Sequence, residues 1–272
     1  MSRPFLKMNG LGNDFVVVET RSAPFDPSPE QVRAIADRKA GVGCDQLIVI
    51  EKAEDADARV RFWNADGEEV SACGNGTRCV GWLLMQSSGK DEAVIETKAG
   101  RLVATRAGER LVSVDMGEPR LAWDQIPLAA EHDTLSLEVT LSGHPALQTP
   151  GCVSMGNPHV VFFVDDVDAV PIAEVGPKIE THPLFPEHVN VGFAQVLGPD
   201  RIRLRVWERG AGLTKACGTG ACAALVAAAR RGLVGREATM VLDGGDLHVE
   251  WRGDGHVIMT GPAAVDFMGE LP

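Results

Sequence analysis

One short pattern occurs twice in this chain, and its spacing constrains the fold more than any other feature. Ala72-Cys73-Gly74-Asn75-Gly76 returns as Ala216-Cys217-Gly218-Thr219-Gly220, an offset of 217 − 73 = 144 residues. The same offset carries Gly12-Asn13 and Val16-Val17 onto Gly156-Asn157 and Val160-Val161. It carries Arg59, Arg61 and Trp63 onto Arg203, Arg205 and Trp207, and Gln46 onto Asn190. A gapless register shared by several motifs means a duplicated unit, here two similar α/β halves expected to be related by a pseudo-twofold axis.

Local signals within each half fit this plan. Ser28 is placed to cap a helix, Pro29 suits its first position and Gln31 completes a capping box, which predicts a helix over 28–39. The matching segment, 172–183, reads as a second helix made less regular by an internal Gly-Pro. Strand character is found at 15–20, 46–51, 59–63, 93–97, 101–105 and 111–116, and again at 159–164, 189–195, 202–207, 238–242, 247–251 and 256–260. After each CGxG comes an apolar, helix-like segment, 79–86 and 222–231. Prolines at 119, 127, 145 and 150 mark 118–151 as the linker between halves.

Charge narrows the function. A formal net charge of −12 makes the chain a poor partner for nucleic acid or anionic lipid. No apolar run approaches the roughly 20 residues of a membrane span, and MSRPFLKMNG lacks a signal-peptide core, so a cytoplasmic location is expected. The six cysteines, at 44, 73, 79, 152, 217 and 222, lack the two-residue spacing of a zinc knuckle, and no metal is expected. Cys79 and Cys222 stand one residue out of the repeat register and read as core thiols.

A cysteine just before Gly-Xaa-Gly and an apolar helix sits at the positive end of a helix dipole, which favours thiolate. The glycines also let backbone N–H groups approach a carboxylate closely. Alone, one such motif reads as a glycine-rich turn with a structural cysteine. Two equivalent copies can instead put a thiol on each face of one carbon. One thiolate then removes an α-proton while the other thiol delivers one to the opposite face. Cys73 and Cys217 are therefore the candidate acid/base pair, and the scheme calls for no cofactor. No Walker loop or GxGxxG in a βαβ setting stands against it, and Gly41-Val42-Gly43 reads as a tight turn before a strand.

These segments, with Gly12-Asn13-Asp14-Phe15, Gly43-Cys44-Asp45-Gln46, Asn64-Ala65-Asp66-Gly67, Met155-Gly156-Asn157-Pro158-His159, Val189-Asn190-Val191-Gly192-Phe193 and Glu208-Arg209-Gly210-Ala211-Gly212, resemble the diaminopimelate epimerase family along nearly the whole chain. The resemblance implies an α/β (α+β) fold of two pseudo-symmetric domains, each a mostly antiparallel, barrel-like sheet around a central helix. The active site is expected in the cleft between them, and the domains at 1–117 with 263–272, and at 118–262. It implies interconversion of LL- and meso-2,6-diaminopimelate in lysine biosynthesis, without cofactor, by a homodimer. Gly74-Asn75 and Gly218-Thr219 look like the helix starts that grip the reacting carboxylate. Asn13, Gln46, Asn64, Asn157 and Asn190 look like polar groups around the substrate. Glu208 and Arg209 are similar to a pair that handles ammonium and carboxylate, and His159 and Glu208 to groups that tune the thiols.

Other readings stay open. Asn13 and Asn157 are also good turn residues, and His159, whose repeat partner is Phe15, could be a packed core histidine. Proline-type racemases share the architecture, and a reversible Cys73–Cys217 redox couple belongs to a different functional class.

Overall fold

The computed structural model describes residues 3–71, 73–139, 141, 143–144 and 147–271; Ala72 of the repeated motif and Pro145 of the proline-rich stretch lie outside them. The chain divides into two compact units, Met1–Asp115 with Thr260–Pro272, and Met116–Met259.

In the first unit, β1 (Arg3–Gly10) turns into β2 (Asn13–Glu19). The two turn residues, Leu11 and Gly12, both have positive φ, 62° and 76°, as a tight two-residue hairpin requires. β3 (Gln46–Glu51) lies parallel to β2, so the chain must cross over between them, and α1 (Pro29–Ala36) is that crossover. The capping box of Ser28 and Gln31 is formed. The helix stops at Ala36 rather than near 39 because the Asp37 carboxylate accepts the N–H groups of Lys39 (2.7 Å) and Ala40 (2.9 Å), turning the chain away. β4 (Ala58–Asn64) runs antiparallel to β3 and pairs with the short β5 (Glu69–Val70). The long helix α2 (Gly74–Ser88) then crosses to β6 (Glu92–Thr97), parallel to β4, and β7 (Gly100–Arg106) and β8 (Leu111–Asp115) follow as antiparallel neighbours.

The second unit repeats this order. β9 (Gly151–Ser154) pairs with β10 (Pro158–Phe163), α3 (Ile172–Glu180) crosses to β11 (Asn190–Gly198), and β12 (Arg201–Glu208) and β13 (Gly212–Thr214) lead into α4 (Gly218–Arg230). β14 (Glu237–Leu242) and β15 (Gly245–Trp251) follow. β16 (Val257–Pro262) carries the chain back to the first unit, where β17 (Ala264–Leu271) pairs antiparallel with β1.

The duplication is legible in the ladders themselves. Phe15 opposes Gln46 between β2 and β3, and His159 opposes Asn190 between β10 and β11, each displaced by 144. Leu47 opposes Trp63 just as Val191 opposes Trp207. Past the second helix of each unit the displacement becomes 145: Glu92 opposes Thr105, and Glu237 opposes Glu250.

Each unit is mostly strand, with one helix at its centre. α2 packs on β1, β2, β6, β7 and β8, burying Val80, Leu84 and Met85. A Cβ on Gly81 would lie 2.5 Å from that of Ala104, so the glycine is what lets helix and sheet meet. α4 is buried on nearly every side by β9–β12, β14 and β15, which suits its run of alanines. The 118–151 stretch is less of a linker than its prolines suggest. Ile126, Leu128, Leu137, Val139 and Leu147 are buried in the core of the second unit, because an apolar segment without strand periodicity still lowers its free energy by covering a sheet. Among the described residues, no helix is long and apolar enough to cross a membrane.

Candidate active site, one half-site in each unit

The Gly-Xaa-Gly segments are the first turns of α2 and α4 rather than turns ahead of them. Cys73 and Cys217 occupy the two N-cap positions with extended backbone, φ −143° and −120°. An N-cap side chain faces the helix-start amides that have no acceptor within the helix. Both thiols therefore sit against the positive ends of helix dipoles. Glycine is needed in that turn: a Cβ on Gly76 would lie 2.9 Å from Ile48 and Phe62, and one on Gly220 would lie 3.1 Å from the Cys217 sulfur.

In the first half-site, Cys73 Sγ accepts from the Gly76 N–H at 3.4 Å and lies 3.8 Å from Asn13 Oδ1. Asn75 Nδ2 donates to the same Asn13 oxygen at 3.3 Å. Asn13, Cys73 and Asn75 are thus brought together, with Gly74 and Asn75 as the first helical residues. Gln46 and Asn64 form a second group, joined by a 2.8 Å bond from Gln46 Nε2 to Asn64 Oδ1 across β3 and β4. Gln46 Oε1 is buried with no hydrogen-bond partner among the described residues, an unmet acceptor that suits a donor on a ligand.

In the second half-site, Cys217 is only 4% exposed. Thr219 Oγ1 lies 3.7 Å from its sulfur and also bonds Asn157 Nδ2 (3.3 Å) and His159 Nε2 (3.1 Å). His159 Nε2 is 3.2 Å from Asn157 Oδ1. Burial, with Arg209 nearby, pushes the His159 pKa down to about 3, so the imidazole is neutral near pH 7. Burial pushes the Cys217 thiol well above its ordinary range, and the Glu208 carboxylate pushes it further. The Gly220 amide and Thr219 hydroxyl act in the opposite sense. Glu208 accepts from Thr214 Oγ1 at 2.5 Å. Asn190 Oδ1 accepts the Arg209 N–H at 3.0 Å, and the Arg209 guanidinium donates to the Glu187 carbonyl at 2.8 Å.

Cys44, Cys79, Cys152 and Cys222 are all buried, and burial raises the Cys79 pKa to about 12. Among the described residues, no cluster of three or more His, Cys, Asp or Glu could hold a metal ion.

The diaminopimelate epimerase family model matches residues 5–122 and 151–265. The chain belongs to the diaminopimelate epimerase family. A diaminopimelate epimerase from Phenylobacterium zucineum (strain HLK1) is 81% identical over 100% of this chain and 99% of its own length. One from Caulobacter vibrioides (strain NA1000 / CB15N) is 61% identical over 100% and 98%. Among solved structures, a hydroxyproline epimerase from Agrobacterium vitis, with bound trans-4-hydroxy-L-proline, matches with a TM-score of 0.72 at 16% identity, covering 99% of this chain and 92% of its own. A phenazine biosynthesis protein from Enterococcus faecalis matches with 0.72 at 15%, covering both chains fully. At these identities the likeness shows a shared fold.

Within this epimerase fold the structure adds residues that the repeat does not point to. Asp45 Oδ2 accepts from Asn13 Nδ2 at 2.9 Å and from the Asp14 N–H at 3.0 Å. Arg38 forks onto Asp14 (2.8 and 3.1 Å) and reaches Asp45 (2.6 Å), and Lys7 bonds Asp14 (2.5 Å) and the Gly43 carbonyl. Burial opposes ionisation of Asp14, but the bonds from Arg38 and Lys7 outweigh it and hold the carboxyl well below the usual range. A signal for Asp45 was present, since it stands directly before Gln46 in a motif that carries the family resemblance. Its repeat position, however, is Val189, and an apolar residue there hides any role.

Proposed function

We propose that the chain epimerises 2,6-diaminopimelate between its LL and meso forms by moving the α-proton between Cys73 and Cys217, without a cofactor. The reaction is a step of lysine biosynthesis. The observation that carries the mechanism is the repeated one: in each unit a cysteine occupies the N-cap of the central helix. A thiolate there removes the α-proton and becomes a thiol. The other thiol gives its proton to the opposite face of the same carbon and becomes the thiolate, so protons and charge balance. The carbanionic intermediate places extra negative charge on the α-carboxylate. The helix-start amides of Gly74-Asn75 and Gly218-Thr219 stabilise that charge more than the charge of the substrate, which is what lowers the barrier.

The remaining residues are assigned on the same reading. Asn13, Gln46, Asn64, Asn157 and Asn190 orient the substrate through their carboxamides. Glu208 and Arg209 read the ammonium and carboxylate groups, the guanidinium being suited to bidentate carboxylate binding. His159, neutral and against Thr219, tunes Cys217 through that hydroxyl, and Glu208 tunes it by its charge. Residues 1–117 with 263–272 and residues 118–262 make up the two epimerase halves. The working form is a cytoplasmic homodimer.

The test is proton NMR of the reduced protein in D2O with LL-diaminopimelate and no added cofactor. Deuterium entering the α-position as the meso isomer appears is the expected result. Turnover of proline or hydroxyproline in place of diaminopimelate would move the assignment to the proline-type racemases, and no turnover of any amino acid would favour thiol redox chemistry.

A further inference from the structure

We propose that Asp45 is a positioning residue that sets the carboxamide of Asn13, so that oxygen and not nitrogen faces the Cys73 thiol. An ionised carboxylate only accepts hydrogen bonds. The Asn13 atom 2.9 Å from Asp45 Oδ2 must therefore be Nδ2, and the other end, 3.8 Å from Cys73 Sγ, must be Oδ1. Asn75 supports this orientation by donating to the same oxygen. Asp45 is itself held in place by its acceptance of the Asp14 N–H and by Arg38, which joins it to Asp14 and so to Lys7. The charged groups around Asn13 are thus Lys7 from β1, Asp14 on β2, Arg38 beyond α1 and Asp45 ahead of β3, with Arg78 buried on α2.

Duplication supplies an internal comparison. Displaced by 144, Lys7, Asp14, Arg38 and Asp45 become Gly151, Pro158, His182 and Val189, so the second half-site has no such network. There Asn157 turns its nitrogen toward the helix, to Thr219, and its oxygen toward His159. An oxygen beside sulfur favours the protonated thiol, whereas an N–H favours the thiolate. Asp45 accordingly biases Cys73 toward holding its proton until substrate arrives.

The inference rests on Cys73 being one of the two acid/base groups. Alkylation is read without substrate, so its failure leaves that reading standing, and inactivity toward diaminopimelate leaves the positioning result standing. The experiment follows iodoacetamide modification of Cys73 against pH in the reduced full-length protein, by peptide mass spectrometry. Asp45→Ala removes the acceptor and frees the Asn13 amide to turn its N–H to the thiolate, and the midpoint is expected to fall by roughly one pH unit, the size of one neutral hydrogen bond changing sense. In an Asn13→Ala background Asp45→Ala is expected to add nothing. An unchanged midpoint, or an equal fall in the Asn13→Ala background, would overturn the proposal. A further measurement needs no Asp45 variant: of the Asn13 side-chain NH2 signals, located by their loss in Asn13→Ala, one should exchange with water far more slowly than those of exposed asparagines. Exchange of both at the rate of an exposed asparagine would overturn it as well.

Discussion

Cys73 and Cys217 both cap helices that open with Gly-Xaa-Gly, yet Cys73 is half-buried beside Asn13, whereas Cys217 is buried beside Thr219 and Glu208, with neutral His159 bonded to Thr219. Strand registers match to the residue up to these helices, while the side chains around the sulfurs do not. Asn64 in one half is Glu208 in the other, Asn75 is Thr219, Phe15 is His159, and Asp45 is Val189. Duplication has therefore kept the backbone device that places a thiol at a helix start. It has let the neighbours diverge, and at Cys217 burial and the Glu208 carboxylate disfavour the thiolate. If the two units serve one substrate, as proposed, such divergence suits a substrate with a second chiral amino-acid head group.

If the two thiols share one proton transfer, the largest effect follows from removing either. Cys73→Ala and Cys217→Ala should each lower turnover of diaminopimelate by about 10³-fold or more, the range for loss of a positioned acid or base. Both variants should retain the wild-type melting transition. Activity within tenfold of wild type in one variant but not the other would break the comparison, leaving one thiol as catalyst and its counterpart as structural.

A smaller change is expected where the halves differ most in charge. Glu208→Gln removes the carboxylate that disfavours ionisation of Cys217, so the alkylation midpoint of Cys217 should move down while that of Cys73 stays in place. Catalysis should also fall, by roughly tenfold or about 1.4 kcal/mol, because the thiol would hold its proton less well and the ammonium would lose a partner. Equal movement of both midpoints would mean that Glu208 acts through the whole structure rather than on its own half-site.

The sequence made the repeated features visible and hid the unrepeated ones. Asn13, Gln46 and Cys73, with Asn157, Asn190 and Cys217, stand out because two copies of a pattern are self-checking, whereas Asn64, Asn75, Glu208 and Thr219 are reached only through the family resemblance. The helix at Ser28 was legible through its cap chemistry, which acts within four residues. β1 carries no clear strand signal because its burial does not alternate: Phe5, Lys7, Met8 and Gly10 are all buried, and one of them is charged. β17 is hidden for the opposite reason, since Asp266, Phe267 and Met268 are exposed and the strand is held chiefly by its ladder with β1. Asp45 is not legible as a positioning group although it lies in a motif, because its hydrogen bond to Asn13 spans 32 residues and leaves no periodic trace.

His159 gives the smallest and most specific contrast between the halves, since Phe15 at the equivalent position cannot titrate. Its folded-state pKa of about 3 lies below the ordinary value of 6.5, with burial as the main cause. Above about pH 7 the imidazole is neutral whether the chain is folded or not, and pH has no purchase on stability through it. As pH falls below 6.5 the unfolded chain takes up a proton that the folded chain refuses until about pH 3, so stability declines by up to about 1.4 kcal/mol per pH unit across that window. His159→Asn cannot take up that proton. Relative to the variant, the wild type should therefore lose about 2 kcal/mol between pH 8 and pH 5, read as the change in the difference of their urea-unfolding free energies. A difference that stays flat would show that the folded protein accepts the proton. A cation would then stand beside Thr219 and Cys217, and the second half-site would be the one biased toward thiolate.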